Sequence, residues 1–456
     1  MKGYSMAFVE FHDICTTIDN ENLAAGKIEL PLSGTNQEMY SFELQGWIVG
    51  KKKQVKWITV YVNEKLIKRV PVDRSRPGIA KKYKGFSQTE KCGFLTEIGI
   101  LGMPPIVEYS IRAEMLDESV VSFGKLIVKH QPLSISYSPI LSPILVTSLG
   151  RSGSTWIMRV LSAHPNIVIE LSHPYETMAA SYWIHMLKVL SDPANYQDSA
   201  KRIGFKDNLW WVGNHPYNSR PFTRDARMMT WFNNDYPQQL AEFCLQSIDA
   251  FYTKIALIQG EAPIYFGEKS RPTHIPWLFR ELYPHAKEIF LIRDFRDTIC
   301  SMFAFNQKRG YVGVGPLEAR TEDEFICMMR PRIKNLLSAY EQRKEVSHLV
   351  RYEDLVMYPE RTIKEILHYL ELDYDNHIIK AMVNGKHERT EKPTIKSVLN
   401  KIMSRDNNQE KKLIHHQTKD GPKASIGRWK TDLSEHLQNV CQDELGDLLE
   451  MTGYSF

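Results

Sequence analysis

The sequence lacks the features that mark membrane, secreted and nucleic-acid-binding proteins. It has no run of 18 apolar residues, so we expect no membrane-spanning helix. Its N-terminal segment has no apolar core flanked by basic residues, so we expect no secretory signal. The net charge is only +4, from 58 basic and 54 acidic residues, which is too small an excess to indicate a nucleic-acid partner. These absences favour a globular protein of the cytoplasm.

Cysteine is also scarce, because the chain of 456 residues contains six and no two have Cys-x-x-Cys spacing. Scattered cysteines of this kind indicate free thiols in a reducing compartment. We expect all of them to be buried, like other small apolar residues. No cluster of histidine, cysteine and acidic residues has the spacing of a metal site, so we predict no bound metal. The six are Cys15, Cys92, Cys244, Cys300, Cys327 and Cys441.

Short strands and turns are predicted between residues 28 and 130. Residues 57–62 are rich in β-branched and aromatic side chains, and Asn63-Glu64 after them predicts a hairpin turn. Residues 106–113 alternate between apolar and polar, as a half-buried strand does. The pattern predicts a small antiparallel β-sandwich domain over residues 1–135, followed by a second domain over residues 136–456. A structural or dimerising role and a glycan-binding role both stay open for the first domain.

The stretch from Pro143 to Trp156 runs from an apolar strand, through a corner rich in glycine and hydroxyl groups, into a helix. A helix N-terminus offers unpaired backbone N–H groups, so this stretch, which we call the anion loop, is suited to hold an anion. Plain N-capping of the helix by a hydroxyl group is the alternative. The candidate anion-binding residues are Arg151, Ser152, Gly153, Ser154, Thr155 and Trp156.

The anion loop and the residues after it bear on the class of protein and on the fold. No Gly-Lys-Ser/Thr follows the first glycine at the spacing that a nucleotide kinase requires. From residue 144 onward, strand and helix patterns alternate. The alternation predicts an α/β fold with a P-loop-like, mostly parallel sheet and flanking helices.

Four stretches, in this order, resemble the sulfotransferases that use 3′-phosphoadenosine-5′-phosphosulfate (PAPS). The anion loop is similar to their 5′-phosphosulfate loop, and residues 288–301 are similar to their 3′-phosphate strand and helix. Residues 349–356 and 425–429 are similar to two further motifs of the family. The resemblance is to the bacterial type, which is similar to polysaccharide and tyrosylprotein sulfotransferases. It implies PAPS as the cosubstrate and no metal.

The resemblance also implies which residues hold the rest of the nucleotide. Arg293 ends a buried strand and Ser301 lies in the helix that follows, so the guanidinium and the hydroxyl can grip one 3′-phosphate. By resemblance, Tyr352 approaches the adenine, and Arg428 belongs to a C-terminal loop that closes over the nucleotide. More loosely, Gly46-Trp47 and the turn at residues 73–77 resemble small β-sandwich modules attached to bacterial carbohydrate-modifying transferases.

Candidate catalytic residues follow from the same resemblance. Residues 265–272 resemble the Glu-Lys-Ser motif of polysaccharide sulfotransferases, so Lys269 would touch the bridging oxygen and, with Arg151, stabilise the charge that develops there. In the family, a glutamate close to a His-Pro pair removes the proton of the acceptor. Glu170 and Glu176 both fall in range, and His173 is a third candidate. We prefer Glu176, because it precedes a helix predicted over residues 178–190.

These residues together predict the transfer of a sulfonate from PAPS to an acceptor hydroxyl. The saccharide-type Glu-Lys-Ser motif and the sandwich domain favour a saccharide or glycolipid over a protein tyrosine. A nucleotide-dependent kinase and a non-catalytic glycan-binding or scaffold protein are the alternatives. The aromatic segment 192–235 is predicted to form a substrate lid or a small core of its own. The charge of the basic segment 384–424 is typical of a solvated face, whereas the resemblance implies a loop that closes over the nucleotide.

Overall fold

The computed structural model describes residues 8–86, 90–193, 226–272, 276–385 and 422–455. Most of the segments 192–235 and 384–424 lies outside these residues, so the hypotheses about a lid and a closing loop stay predictions. The chain divides into two compact units, and neither is continuous in sequence. The first unit comprises Met1–Ser138, Tyr182–Ser247 and Ile275–Pro284. The second unit comprises Pro139–Ser181, Ile248–His274 and His285–Phe456.

The described strands of the first unit form two antiparallel sheets. These strands are β1 (Val9–Thr16), β2 (Leu23–Leu30), β3 (Asn36–Gln37), β4 (Ser41–Gly50), β5 (Val55–Val62), β6 (Lys65–Pro71), β7 (Gly93–Gly99), β8 (Ile106–Met115) and β9 (Val120–His130). One sheet has the order β3-β1-β9-β8-β5-β6, and the other has the order β2-β4-β7. The sheets pack face to face through Phe42 against Tyr109 and Phe94 against Phe123, with ring centroids 5.5 and 6.0 Å apart. The predicted antiparallel sandwich is confirmed.

The predicted hairpin at Asn63-Glu64 is also confirmed. Strands β5 and β6 pair antiparallel on either side of these two residues. Both residues have positive φ, 48° and 60°, as a two-residue turn that matches the twist of the strands requires.

The second unit is built on a parallel sheet. Its strands are β10 (Ser142–Ser148), β11 (Ile167–Val168), β12 (Tyr265–Ser270), β13 (Lys287–Ile292) and β14 (His348–Arg351). Their order is β11-β12-β10-β13-β14, and all four pairings are parallel. Pro143 is tolerated in the central strand β10 because the pairing with β13 begins only at Ile144. The predicted P-loop-like α/β fold is therefore confirmed.

Helices cover both faces of this parallel sheet. The described α-helices of the chain are α1 (Pro77–Lys82), α2 (Ser154–Leu161), α3 (Ala179–Ser191), α4 (Ala226–Asn233), α5 (Asp235–Gln259), α6 (Pro276–Leu282), α7 (Phe295–Arg309), α8 (Glu322–Glu341), α9 (Tyr352–Met357), α10 (Pro359–Leu370), α11 (Asn376–Asn384), α12 (Trp429–Asp432) and α13 (Glu435–Met451). On one face, α2, α10 and α11 bury apolar side chains against β10 and β13. On the other face, α7, α8 and α13 do the same against β13. Both faces of the strands are buried, which explains their apolar sequences.

One expectation about the cysteines is wrong. All six are free thiols, but only four are buried, because Cys15 and Cys327 are exposed. Cys15 lies on the half-exposed end of β1, and Cys327 lies on the solvent side of α8. Their positions at the exposed end of a strand and on the solvent side of a helix, and not their small apolar side chains, decide their exposure. None of the helices in the described ranges is both long enough and apolar enough to span a bilayer.

Candidate active site

The anion loop lies at the carboxyl end of β10, where the chain turns into α2. Gly153 is the N-cap of α2 with φ of 92°, and no side chain caps the helix, so the alternative of plain hydroxyl capping is wrong. A Cβ atom at Gly153 would lie 2.3 Å from the ring of Tyr352, so only glycine fits there. The N-terminus of α2 therefore remains available to an anion.

Lys269 contacts this loop from the neighbouring strand β12. Its Nζ donates hydrogen bonds to Thr155 Oγ1 at 3.0 Å and to the carbonyl oxygen of Pro174, and it lies 3.3 Å from Glu176 Oε1. The side chain of Lys269 is 8% exposed and that of Glu176 is 52% exposed. Burial lowers the pKa of Lys269, and the charge of Glu176 opposes that shift. A buried cation, a more exposed carboxylate and a helix N-terminus thus meet at one place.

The other candidate bases have different surroundings. Glu170 Oε1 accepts hydrogen bonds from Ser172 N and Oγ at 3.0 and 2.6 Å, and its Oε2 accepts one from Thr177 Oγ1 at 2.6 Å. Both of its oxygens therefore stabilise the turn that carries Glu176. The ring of His173 packs edge-on against Tyr175, with centroids 6.3 Å apart.

Glu268 is a residue of the site that the sequence analysis did not single out. It is buried and accepts hydrogen bonds from Ala180 N at 2.6 Å, from Ser181 N at 3.1 Å and from the hydroxyl of Tyr252. Burial raises its pKa. Its contacts fix the first turn of α3, next to the loop that carries Glu176. The sequence did contain one indication of this role, because Glu268 is the first residue of the Glu-Lys-Ser motif and precedes Lys269.

Arg293 and Ser301 lie on the other side of the anion loop, after β13. Arg293 is 4% exposed, donates to the carbonyl oxygens of Arg151, at 3.3 Å, and of Ser425, and stacks over Tyr352 at 4.9 Å. Ser301 Oγ accepts a hydrogen bond from Arg151 Nε at 3.1 Å. The structure therefore brings Arg151, Arg293, Ser301 and Tyr352 together, and the guanidinium of Arg151 contacts Ser301.

The C-terminal loop is tied to α7 beside these residues. Asp297 is buried and accepts hydrogen bonds from Gly427 N at 2.7 Å and Trp429 N at 3.0 Å. Arg428 Nε donates to Asp432 at 2.6 Å. Arg428 is thus held in a loop that is tied to α7, and its guanidinium is paired with Asp432 at the end of the short helix α12.

Positive charge is concentrated around Arg151. Burial, and after it the charges of Arg293, Arg428 and Arg309, lower the pKa of Arg151 to about 10. Within the described residues, Nε of Arg293 is buried and has no hydrogen-bond acceptor. An unsatisfied buried donor among like charges fits a phosphate group, which supplies both acceptor oxygens and negative charge. No group of three potential metal ligands lies close together within the described ranges.

Comparisons with known proteins point to one family. The sequence profile of the sulfotransferase family matches residues 143–376. A Caenorhabditis briggsae protein named "Putative protein-tyrosine sulfotransferase" is 28% identical over 151 residues, which are 33% of this chain and 51% of that protein. The chain thus matches about half the length of this curated relative.

Two solved sulfotransferase structures also align with part of this chain. The sulfotransferase domain from the curacin biosynthetic pathway is 18% identical, with a TM-score of 0.38 over 70% of this chain and 100% of that domain. Sulfotransferase STF9 from Mycobacterium avium is 15% identical, with a TM-score of 0.34 over 70% of this chain and 79% of that protein.

Proposed function

This chain belongs to the sulfotransferase family, and we propose that it transfers the sulfonate group of PAPS to the hydroxyl group of an acceptor. The observation that carries the proposal is the contact of Lys269 with both Thr155 of the anion loop and Glu176. This contact joins a group that can stabilise negative charge to a group that can accept a proton, at a helix N-terminus suited to an anion.

The residues around the anion loop suit the two phosphate ends of PAPS. The N-terminus of α2, with Ser152, Ser154, Thr155 and Trp156 near it, would hold the 5′-phosphosulfate. Arg293 and Ser301 would hold the 3′-phosphate, because Arg293 keeps an unsatisfied buried donor. Arg151, which the resemblance assigns to the bridging oxygen, donates to Ser301 in this structure and would therefore add its charge to the 3′-phosphate. Tyr352 would lie beside the adenine, and Arg428 would add charge from the C-terminal loop. PAPS would supply the sulfonate that is transferred.

In the proposed mechanism, Glu176 takes the proton of the acceptor hydroxyl as the acceptor oxygen forms its bond to sulfur. The side chain of Glu176 is 52% exposed, which suits a group that meets an incoming acceptor. Glu170, by contrast, is hydrogen-bonded within the turn that carries Glu176. Lys269 stabilises the negative charge on the oxygen that leaves the sulfur, and its burial strengthens this interaction. Glu268 is a positioning residue, because it anchors the start of α3.

We propose a saccharide or glycolipid hydroxyl as the acceptor. The Glu268-Lys269-Ser270 motif, which resembles that of polysaccharide sulfotransferases, and the N-terminal sandwich support this choice. A protein tyrosine is the second candidate, and the similarity to the Caenorhabditis briggsae protein favours it.

The test combines binding and transfer. Calorimetric titration should show that 3′-phosphoadenosine-5′-phosphate (PAP) binds the wild-type protein much more tightly than AMP, and that Arg293→Ala removes the difference. Transfer of radiolabelled sulfonate from PAPS to a panel of oligosaccharides and tyrosine peptides then identifies the acceptor class. Equal binding of PAP and AMP to the wild-type protein would contradict the proposal.

Two matched variants assign the base. Glu176→Gln should lower kcat by about a hundredfold or more with little change in PAP affinity, because general-base catalysis contributes on this order. Glu170→Gln should retain most of the PAP affinity and a larger share of kcat, because its role is in the turn. The reverse order of effects would assign the base to Glu170.

A further inference from the structure

Arg309 is the last residue of α7, two turns beyond Ser301. Residues 301, 305 and 309 are four apart, so they form one column along the helix. Side chains on a helix lean toward its N-terminus, and Arg309 accordingly reaches back over Phe305, with its guanidinium carbon 4.5 Å from the ring centroid. The charge of Arg309 is thereby brought toward the Ser301 end of the column.

The same phenyl ring also carries Arg151. The guanidinium carbon of Arg151 lies 4.9 Å from the centroid of Phe305, while its Nε donates to Ser301. Cation–π contact with one shared ring holds the two arginines near each other. Like charges this close repel each other, and the positive charge of Arg309 is one of the causes that lower the pKa of Arg151. An anion bound among them would relieve that repulsion.

The segment after Arg309 is held in place and contacts the anion loop. Arg309 Nη1 donates a hydrogen bond to the hydroxyl of Tyr311 at 3.0 Å. Asn306 Oδ1 accepts hydrogen bonds from Gly313 N at 2.9 Å and Val314 N at 3.0 Å. A Cβ atom at Gly150 would lie 3.2 Å from Val314 Cγ1, so this segment packs directly on the anion loop. Arg309 is exposed, but its surroundings define its position.

We propose that Arg309 is a further residue of the 3′-phosphate site and contributes to the preference for a 3′-phosphorylated nucleotide. The inference rests on the proposed use of PAPS. Arg309 shares the ring of Phe305 with Arg151, which donates to Ser301. Lys269, by contrast, contacts Thr155 and Glu176, where the acceptor would react. The charge of Arg309 is therefore placed to serve the nucleotide and not the acceptor. A phosphate monoester, with up to two negative charges, neutralises several guanidinium groups at once.

The test is calorimetric titration of PAP and AMP into four proteins: the wild type, Arg309→Ala, Arg309→Lys and Lys308→Ala. Lys308 is the matched control, because it is an exposed cation in the same helical turn. Arg309→Ala should weaken PAP binding about tenfold and change AMP binding by less than about twofold, since only PAP carries the 3′-phosphate. Arg309→Lys should recover part of the loss, and Lys308→Ala should change neither affinity by more than about twofold.

The outcomes separate this inference from the proposed function. If the wild-type protein binds PAP no more tightly than AMP, the proposed use of PAPS is wrong. If the wild type prefers PAP and Arg309→Ala keeps the full preference, the assignment of Arg309 alone is wrong. An unchanged PAP affinity with a raised acceptor KM would also overturn it, because Arg309 would then serve the acceptor. Thermal melts of all four proteins check that each is folded.

Discussion

Lys269 is buried, and its proposed role requires its positive charge, so the rate of the proposed reaction should depend on pH. It is buried at the end of β12 and donates to Thr155 and to the carbonyl oxygen of Pro174. Only the ammonium form carries the positive charge that pairs with Glu176 and can stabilise the negative charge on a leaving oxygen. The proposed reaction therefore requires Lys269 to keep its proton.

The pH dependence follows from the direction of its shift. Burial lowers the pKa of Lys269 below its usual 10.5, so the lysine loses its charge at a lower pH than an exposed one does. We expect kcat/KM to be retained below that pKa and to fall as pH rises through it. In Lys269→Arg the fall should vanish or move to higher pH, because a guanidinium stays charged.

Measuring kcat/KM between about pH 6 and 10 with saturating PAPS checks this expectation. Lys344→Arg is the control, because Lys344 is an exposed lysine paired with Glu341 on the surface. Identical alkaline limbs for the wild type and an active Lys269→Arg would exclude Lys269 as the titrating group.

At the scale of secondary-structure elements, one buried ion pair ties α8 and the residues after it to the parallel sheet. Arg343 donates to Glu288 of β13 at 2.9 and 3.2 Å, and Thr147 of β10 donates to the same carboxylate at 2.6 Å. The side chains of Arg343 and Glu288 are each 3% exposed. Removing one partner would leave the other charge buried without compensation.

Arg343→Met should therefore lower the free energy of unfolding by about 3–5 kcal/mol. Lys344→Met, one residue on, should leave it nearly unchanged, because its ion pair with Glu341 is exposed. Urea denaturation of both variants checks the difference. Equal losses in the two variants would show that burial of the pair is not the cause.

Strand β7 carries a carboxyl group whose protonation affects stability. Burial raises the pKa of Glu97 from 4.5 to about 7, and the cross-strand register places Glu43 opposite it. Because the folded state binds this proton more tightly, the stability from the shift is present below about pH 4.5 and is lost as pH rises through about 7.

Glu97→Gln should consequently be more stable than the wild type at about pH 8, by about 3 kcal/mol, and equal to it at about pH 4.5. Glu108→Gln, at an exposed position on β8 beside Lys125, should show no such pH dependence. Chemical denaturation at the two pH values tests both variants. A Glu97→Gln effect that is the same at both values would contradict this explanation.

At the scale of the whole molecule, the predicted domain division between residues 135 and 136 stays a prediction. The first compact unit contains segments from both sides of this point. Within the first unit, Gly102 N donates to Glu281 Oε1 at 3.1 Å, and Ser136 N and Oγ donate to Glu242 Oε1 at 2.7 and 2.6 Å. Residues 242 and 281 lie far along the chain, yet they belong to the same compact unit as residues 8–86.

A fragment of residues 136–456 should therefore melt at least about 5 °C below the full chain, because it keeps the segments Tyr182–Ser247 and Ile275–Pro284 but lacks Gly102, the partner of Glu281, and most of the unit to which these segments belong. The control is the full chain with a protease site inserted between residues 135 and 136, measured before cleavage. An unchanged melting temperature of the fragment would support a second domain that folds by itself.

Prediction from sequence succeeded where the determining interactions are local. The β5–β6 hairpin follows from two residues that can adopt positive φ between strands rich in β-branched side chains. The strand–loop–helix of the anion loop follows from a buried run that ends at glycines, and the family was predicted from four such local motifs. The exposure of Cys15 and Cys327 was not predictable in this way, because it depends on which face their elements present to solvent.

The sequence by itself therefore determined the hairpin, the anion loop, the family and the alternation of strands and helices that predicts a parallel sheet, since each of these patterns is local in the sequence. Only the tertiary structure decided which side chains meet. Strand β10 lies between β12 and β13, so Lys269 reaches one side of the anion loop and Arg293 the other. Arg151 contacts Ser301 and Glu170 braces the turn that carries Glu176, and residue spacing gave no sign of either contact. Strand order and side-chain direction are properties of the packed sheet, and packing joins residues that the sequence separates by more than a hundred positions.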